Sequence, residues 1–343
     1  MMRRGMAAAL VALAAAAVAG APATAAAQQV KPEYKSSLVV GPKGPWGEAA
    51  QKFADLVKER TQGRINIKNY YAGQLFAGKQ TNEFLLLRQG VADFAWGSTI
   101  NWSTTVKELN LFSLPFYFPD YKALDAVEHG EAGKVLFRLI EEKGVVGLAW
   151  AENGFRELTN GKRPVKSPGD LEGLKVRVVG SPIFIDTFKA LGGNPISMNW
   201  GEAVTAFQQG TVDGQENPIN SVITPYKLWT VHKHMTVWHY AIDPIIVGVS
   251  KQTWDTFSAE DRAIIRKTAE ETAAWQKTAA REGLEGAAPG LEAMRQNGME
   301  VTVLTGAALQ AFKDRTKMVY DKWLPEIGPG LVEMARKDMA RAK

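Results

Sequence analysis

A glycine-rich loop is the first part of the sequence with the spacing of a chemical motif. Residues 73–80 read Gly-Gln-Leu-Phe-Ala-Gly-Lys-Gln, which differs only at its last residue from a phosphate-binding loop. Such a loop cradles phosphates with backbone N–H groups and needs Ser or Thr at that position to ligate magnesium. Because Gln80 has no hydroxyl, we interpret the segment as a glycine-rich connection between a strand and a helix. Nucleotide binding is not expected.

Two histidines have the spacing of a possible metal pair. His232 and His234 would face the same side of a strand, but the chain has only two further histidines, His129 and His239, and no carboxylate lies within the short segment. The absence of cysteine removes thiolate ligands, disulfides and Cys nucleophiles. We therefore expect neither a metal nor a cofactor. The common local hydrolase signatures are also missing, although a triad of distant residues stays open.

The most informative stretch lies between Gly154 and Pro218. It contains Gly-Phe-Arg-Glu-Leu-Thr-Asn from residue 154, Ser-Pro-Gly-Asp-Leu-Glu-Gly-Leu-Lys-Val-Arg from 167, and Gln-Gln-Gly-Thr-Val-Asp-Gly-Gln-Glu-Asn-Pro from 208. The guanidinium of Arg177 is a planar fork that matches a carboxylate, and the amide of Asn217 offers both a donor and an acceptor. From the residues alone, a solvated position or a structural ion pair explains Arg177 better than a ligand contact does, and a turn before Pro218 explains Asn217 as well as a pocket role does.

This block resembles the solute-receptor subunit of tripartite ATP-independent periplasmic (TRAP) transporters, of the dicarboxylate-binding type. The resemblance extends from the helix at Gly47 to the long helix after Ser258. It implies that Arg177 clamps a carboxylate of the ligand, and that Arg156 and Asn217 are two further polar residues of the pocket. It also implies that two lobes close over the solute and deliver it to membrane subunits that use an ion gradient.

The resemblance suggests further pocket residues in both lobes. Trp200 and Trp238 would form aromatic walls, although large aromatics at such spacings also suit a core. The loop at 96–99 and the segment near Trp46 resemble ligand-facing loops of the family. Ser98 stands about where sialic-acid receptors carry Glu, so an amino-sugar ligand is not expected.

Strand and helix patterns alternate along the chain and predict an α/β fold. The β-branched and aromatic segment 232–249 is typical of a strand that passes between lobes, and Ser258, followed three residues later by Asp261, predicts the start of a long helix that ends near Gly283. We expect a two-lobed clamshell of the periplasmic-binding-protein type, with the chain crossing between lobes and a long bracing helix. Lobe I would comprise residues 31–153 and 243–283, and lobe II residues 154–242 and 284–343.

Residues 1–27 have the layout of a secretory signal peptide. Arg3 and Arg4 precede an uncharged run at 6–19, and Ala25 and Ala27 fit a small-x-small cleavage site, so the mature chain should begin near Gln28 in a bacterial periplasm. The run is too short for a permanent membrane span.

The composition, with 45% hydrophobic and 22% charged residues, is ordinary for a globular protein. The formal net charge of +5 is spread without a basic or aromatic stripe, so no nucleic-acid partner is expected.

The sequence thus predicts an exported, non-catalytic monomer that captures a small organic acid for the TRAP membrane subunits. One alternative is a secreted enzyme acting on a small carboxylate, with Glu216 and His239 as acid and base. Another is a receptor that reports its ligand to a signalling protein. The solute stays open among dicarboxylates, 2-oxo or hydroxy acids, aromatic acids and sugar acids.

Overall fold

The computed structural model describes residues 31–77, 79–285 and 289–342. The predicted signal peptide at 1–27 and Gly78 of the glycine-rich loop lie outside the described residues. Within the described residues, no helix is both long and apolar enough to cross a membrane.

The described chain forms two sheets surrounded by helices. The strands are β1 (Tyr34–Ser37), β2 (Ile67–Tyr70), β3 (Phe94–Ser98), β4 (Val145–Phe155), β5 (Glu157–Asn160), β6 (Lys175–Val178), β7 (Asn194–Ser197), β8 (Gly214–Asn217), β9 (His234–Val237), β10 (Ile242–Ser250) and β11 (Glu300–Val303). The helices are α1 (Gly44–Arg60), α2 (Glu83–Arg88), α3 (Thr99–Trp102), α4 (Tyr121–His129), α5 (Glu131–Glu142), α6 (Pro182–Ala190), α7 (Trp200–Gln209), α8 (Lys251–Thr256), α9 (Ala259–Arg281), α10 (Pro289–Gln296), α11 (Gly306–Arg315), α12 (Lys317–Ile327) and α13 (Pro329–Arg341).

Lobe I is built on the five-stranded sheet, with strand order β2-β1-β3-β10-β4. Strands β1, β2 and β3 are parallel, and β10 lies antiparallel between β3 and β4. Every residue of β3, β4 and β10 is buried, as the near-continuous apolar sequence of these strands requires. The centre of this sheet is therefore part of the apolar core. Only side chains near the strand ends can face the other lobe.

Lobe II is built on the six-stranded sheet, with strand order β11-β9-β5-β8-β6-β7. Strand β6 is parallel to both β7 and β8, whereas β5 is antiparallel to β8 and β9. This order places Arg177 on β6 directly beside Gln215 on β8, two residues before Asn217. The sheet therefore brings two predicted pocket residues to neighbouring strands.

Two adjacent segments carry the chain between the lobes. Strand β4 runs through Arg156 into β5, and β9 runs through residues 238–241 into β10. The two segments are joined by the hydrogen bond from Arg156 N to Ala241 O (2.9 Å) and by Glu157 Oε2, which accepts from Trp238 N (2.8 Å). The segment 232–249 is therefore two strands in different sheets. The expected two-lobed α/β fold with chain crossings is confirmed.

Helix α9 is the predicted long helix. Ser258 Oγ accepts from Asp261 N (3.0 Å) at its start, as the sequence predicted, and the helix packs against α1 and β4 of lobe I. At its other end, Asn220 of lobe II donates from Nδ2 to Ala280 O (3.1 Å) and Glu282 O (2.8 Å). The helix therefore contacts both lobes.

The last helix differs from the expected boundary at residue 284. Strand β11 pairs with β9 in lobe II, but α13 packs on α4 and α5 of lobe I. The apolar face of α13, with Leu331, Val332 and Ala335 buried, covers these two helices, and Asp338 Oδ2 accepts from Ala132 N (2.9 Å). The chain therefore returns to lobe I at its C-terminus.

Glu83 is a fully buried carboxyl group at the start of α2. Its Oε1 accepts from Ser37 Oγ (2.8 Å) and its Oε2 from Trp102 Nε1 (3.1 Å), so it links β1, α2 and α3. Burial raises its pKa to about 8, and the two hydrogen bonds offset only part of that effect. The group is therefore protonated in the folded protein at neutral pH.

We predict that Glu83→Gln reduces the pH dependence of stability. The folded pKa of Glu83 is about 8 and an unfolded glutamate titrates near 4.3, so the native state holds a proton that the unfolded state releases between these values. The free energy of unfolding of the native protein should therefore fall as the pH rises from about 5 to about 8. The neutral Gln should remove on the order of 1–3 kcal/mol of that fall. Urea unfolding across this pH range measures it.

The control is Glu59→Gln, which makes the same change on an exposed part of α1. It should leave the pH slope as in the native protein. A Glu83→Gln variant whose stability falls as steeply as that of the native protein would contradict the assignment.

Candidate functional site

A narrow cleft of about 30 Å³ lies between the two lobes. Five of the predicted site residues line it, namely Arg177, Arg156, Asn217, Trp200 and Ser98. Its lining also includes four polar residues that the sequence analysis did not assign to a pocket, namely Gln80, Asn101, Asn153 and Asp243. This volume is far below the roughly 300–1,000 Å³ of typical small-molecule sites, because the two lobes lie close together around the cleft.

Arg156 is neutralised by the protein itself. Its guanidinium bonds to both carboxylate oxygens of Glu216, with Nη2–Oε1 at 2.9 Å, and Nη1 donates to Asp243 Oδ2 (3.4 Å). Burial alone would lower the pKa of Arg156, but Glu216 and Asp243 outweigh burial and raise it. Tyr240 Oη also donates to Glu216 Oε2 (2.6 Å). Arg156 is thus the centre of a buried ion cluster at the lobe crossing.

Arg177 is equally buried but has no such partner. It is 1% exposed, and its Nε and Nη2 donate to the carbonyl oxygen of Met198 (2.9 and 2.7 Å). Among the described residues, it forms no ion pair with a carboxylate. Burial lowers its pKa to about 10, and the repulsion from Arg156 adds to that effect while Glu216 opposes it. The site therefore holds a desolvated cation without a contacting anion.

Trp200 and Asn217 are two further residues of the cleft. The ring of Trp200 stacks against its guanidinium, with Cζ 5.4 Å from the ring centroid. The indole Nε1 of Trp200 is buried and has no hydrogen-bond partner in the described chain. Asn217 donates from Nδ2 to Gln215 Oε1 (2.5 Å), which leaves its Oδ1 without a protein donor among the described residues. Each side chain therefore has one polar atom without a hydrogen-bond partner among the described residues.

Ser98 reaches the cleft through Asp243. Its Oγ donates to Asp243 Oδ1 (2.7 Å) and accepts from Ile100 N (3.1 Å), so both of its hydrogen-bonding functions are engaged. Asn153 Nδ2 donates to the other oxygen of Asp243 (2.8 Å). Burial raises the pKa of Asp243, against the opposing effects of Arg156 and these hydrogen bonds. Ser98 thus orients a carboxyl group of the cleft.

The structure does not bring Trp238 to the cleft. Its ring packs edge-on against Phe188 (6.0 Å between centroids) and Phe312 (5.4 Å) in the apolar core of lobe II. Trp238 directly follows β9, on the segment that crosses to lobe I, and at this position its side chain faces the core and not the cleft. Of the two tryptophans expected as aromatic walls, only Trp200 lines the cleft.

The other residues considered for chemistry also have protein partners. His232 is buried, which lowers its pKa to about 4, and its Nδ1 bonds to Thr159 Oγ1 (2.9 Å). His234 Nδ1 lies 3.2 Å from Glu300 Oε2. His239 Nδ1 bonds to Glu157 Oε1 (2.5 Å), away from the cleft. In the part of the chain that the structure describes, no cluster of His, Asp or Glu side chains is placed to hold a metal ion.

Gln80 and Asp243 had recognisable signals in the sequence. Gln80 replaces the Ser or Thr of the phosphate-binding motif, and this departure places a polar amide at the end of the glycine-rich loop. Asp243 is a carboxylate at the start of the apolar strand β10, where an isolated charge points to a buried polar partner. Asn101 and Asn153 carry no comparable signal, because exposed and buried asparagines look alike in a single sequence.

A cleft between two α/β lobes, lined by the buried and charged guanidinium of Arg177, is typical of the two-lobed class of periplasmic binding proteins. The chain matches the model of bacterial extracellular solute-binding protein family 7 (DctP) over residues 36–326, and it belongs to this family.

Several relatives support the assignment. The C4-dicarboxylate-binding periplasmic protein DctP of Rhodobacter capsulatus is 35% identical over 296 residues, which cover 86% of this chain and 87% of the relative. The 2,3-diketo-L-gulonate-binding periplasmic protein YiaO of Escherichia coli K12 is 33% identical over 283 residues, covering 82% and 84%. A solved TRAP periplasmic solute binding protein from Ralstonia eutropha H16, with bound (S)-2-acetolactate, is 52% identical with a TM-score of 0.89 and covers 91% of this chain and 99% of that chain.

These findings confirm the expected family and role. The protein is a periplasmic solute receptor of the TRAP type, which works with the membrane subunits of its transporter. The two curated relatives described above are periplasmic binding proteins.

We predict that the two cleft arginines differ in their effect on stability. Arg156→Ala leaves Glu216 and Asp243 buried without their cation, and should lower the free energy of unfolding by about 3–5 kcal/mol. Arg177→Ala breaks no ion pair and removes a desolvated charge, so its loss should be much smaller. Denaturant unfolding without ligand measures both, and each variant is the control for the other. Equal losses would contradict the distinction between a neutralised and an unneutralised arginine.

Proposed function

We propose that the cleft binds a compact organic monocarboxylate, such as a short 2-hydroxy or 2-oxo acid, for delivery to the TRAP membrane subunits. The observation that carries this proposal is the buried guanidinium of Arg177, which forms no ion pair within the described chain. A ligand carboxylate would supply the anion, and a guanidinium binds it through two parallel hydrogen bonds. The roles of Arg177, Asn217 and Trp200 as ligand contacts are part of the proposal.

Charge in the cleft favours one carboxylate over two. A second carboxylate would need a second cation, but Arg156 is already bonded to Glu216 and Asp243. Asp243 also lines the cleft and would repel another anion. The free amide oxygen of Asn217 and the amide of Asn153 suit a hydroxyl or oxo group instead.

The other walls suit a small branched skeleton. Val39, Val40, Val179 and Val222 line the cleft from both lobes. Burial of methyl groups against them stabilises the complex by about 0.8 kcal/mol for each buried carbon. The relative from Ralstonia eutropha is 52% identical and has bound (S)-2-acetolactate, a branched 2-hydroxy-3-oxo acid. Succinate and galactonate, bound by structures that are 30% and 28% identical, are the weaker guides to this cleft.

The mechanism requires binding and closure, without any change in the ligand. Arg177, Trp200 and Asn217 belong to lobe II, and the facing wall belongs to lobe I, so one ligand touches both. A ligand that bridges the lobes binds the closed state better than the open state and shifts the population towards it. Glu216 is committed to Arg156 and Tyr240, and His239 to Glu157, which argues against the acid and base of the enzyme alternative.

Substitution of Arg177 tests the proposal directly. Arg177→Ala should weaken (S)-2-acetolactate binding by a few hundred-fold, because a broken buried pair costs about 3–5 kcal/mol and each tenfold corresponds to about 1.4 kcal/mol. Arg177→Lys keeps the charge but not the planar fork, and should recover part of the loss. Titration calorimetry gives the affinities, and the acid should be recovered unchanged.

Two controls accompany this test. Circular dichroism must show that each variant is folded, and the primary amide of the acid should be penalised far less than the acid by Arg177→Ala. Binding by Arg177→Ala within threefold of the native protein would exclude the clamp role and make Arg156 the next candidate.

Export is the second part of the proposal. Arg3, Arg4, the apolar run and the small residues at 25 and 27 support a cleaved signal peptide. When the full sequence is expressed in a Gram-negative host, we predict a periplasmic protein whose N-terminus lies near Gln28, identified by mass spectrometry. Accumulation of the uncleaved chain in the cytoplasm would contradict this prediction.

A further inference from the structure

Gln80 reaches across the cleft from lobe I to lobe II. It begins a short 3₁₀ turn, Gln80–Asn82, after the glycine-rich loop, and it is 4% exposed. Its backbone N donates to Asn199 Oδ1 (3.2 Å), and its side-chain Oε1 accepts from Trp200 N (2.7 Å). Both partners belong to the N-terminus of α7. Gln80 therefore fastens lobe I to the helix that carries the ring stacked on Arg177.

The amide of Gln80 also contacts Arg177 itself. Arg177 Nη2 donates to Gln80 Oε1 (3.4 Å), and Gln80 Nε2 donates to Asn101 Oδ1 (2.7 Å) in lobe I. The amide orientation is fixed by these contacts, because only an oxygen can accept from Trp200 N and only an NH₂ can donate to Asn101 Oδ1. One neutral side chain thus satisfies partners in both lobes.

A carboxylate at the same place would change the electrostatics. Trp200 N is the first N–H of α7, where the helix dipole attracts negative charge, and the unpaired guanidinium of Arg177 is adjacent. A glutamate of the same length would fit both and become the counter-ion of Arg177. The protein has glutamine there, and the guanidinium of Arg177 contacts no carboxylate of the residues that the structure describes.

We propose that Gln80 is a specificity-determining residue whose amide holds the lobes together and whose neutrality reserves Arg177 for a ligand carboxylate. This inference rests on the proposed function. It assigns Gln80 a positioning role through Arg177 and α7. Gln80 is also the residue at which the glycine-rich loop differs from a phosphate-binding motif, and the proposal assigns that difference a role in ligand selection.

The central experiment compares an acid with its amide. The probes are (S)-2-acetolactate and 2-hydroxy-2-methyl-3-oxobutanamide, titrated by calorimetry into the full mature chain. Gln80→Glu should weaken binding of the acid at least thirtyfold and lower the preference for acid over amide at least tenfold. Its melting temperature without ligand should be equal to or above that of the native protein, because the new carboxylate pairs with Arg177.

Two further variants separate charge from packing. Gln80→Leu has a similar length but no polar atoms, so acid and amide should both weaken about tenfold with the preference for the acid retained. Gln74→Glu makes the same charge change on an exposed residue of the same loop and should bind both probes like the native protein. If Gln80→Glu does not fold, Gln80→Asp and Gln80→Asn can replace it. Their side chains are one carbon shorter, and the two variants again compare a carboxylate with a neutral amide.

The outcomes distinguish this proposal from the function on which it rests. A Gln80→Glu variant that keeps the native preference for the acid would show that the neutrality of Gln80 does not matter for ligand selection. A Gln80→Leu variant with native affinity would show that the hydrogen bonds of Gln80 between the lobes do not contribute to binding. Either result leaves the proposed function standing if binding still depends on Arg177. A native protein that binds no organic acid overturns both proposals.

Discussion

Two guanidinium groups share one desolvated cleft, and the rest of the site is arranged around their charges. Arg156 and Arg177 are each 1% exposed, and their mutual repulsion helps to lower the pKa of Arg177 to about 10. Burial of two unpaired cations would cost several kcal/mol for each, so the chain places Glu216 and Asp243 against one of them. The remaining cation, Arg177, is the group to which the proposed function assigns the ligand carboxylate. Its desolvation is an unfavourable term that ligand binding offsets.

The fold explains why the two arginines have different partners. Arg156 lies on the segment where β4 leaves lobe I, so it can reach Glu216 on β8 of lobe II and Asp243 on β10 of lobe I. Arg177 lies on β6, farther from the crossing, with the carbonyl oxygen of Met198 and the ring of Trp200 as its neighbours. The same side-chain type is therefore neutralised at the lobe crossing in one case and left without a carboxylate partner among the described residues in the other.

The sequence predicted the architecture better than the details of the site. Periodicity and the cap at Ser258 located the long helix to within about two residues, and the polar block after residue 154 indicated the family. The cleft was harder, because its residues come from both lobes and only tertiary packing decides which polar side chains meet. Trp238 and Trp200 look alike in a sequence, yet one fills a core and the other lines the cleft. Gln80 was missed since its partners lie about 120 residues away.

The position of β10 has a consequence for folding kinetics. This strand lies between β3 and β4, with Val247 beside both Trp96 and Ala149, although it follows them by roughly 100 to 150 residues. Loop closure over such separations must precede the gain from pairing, so the topology has a high contact order and slow folding is expected. The sheet of lobe I cannot be completed until β10 joins β3 and β4. A fragment that ends before β10 would expose the inner edges of β3 and β4, which makes it prone to aggregation.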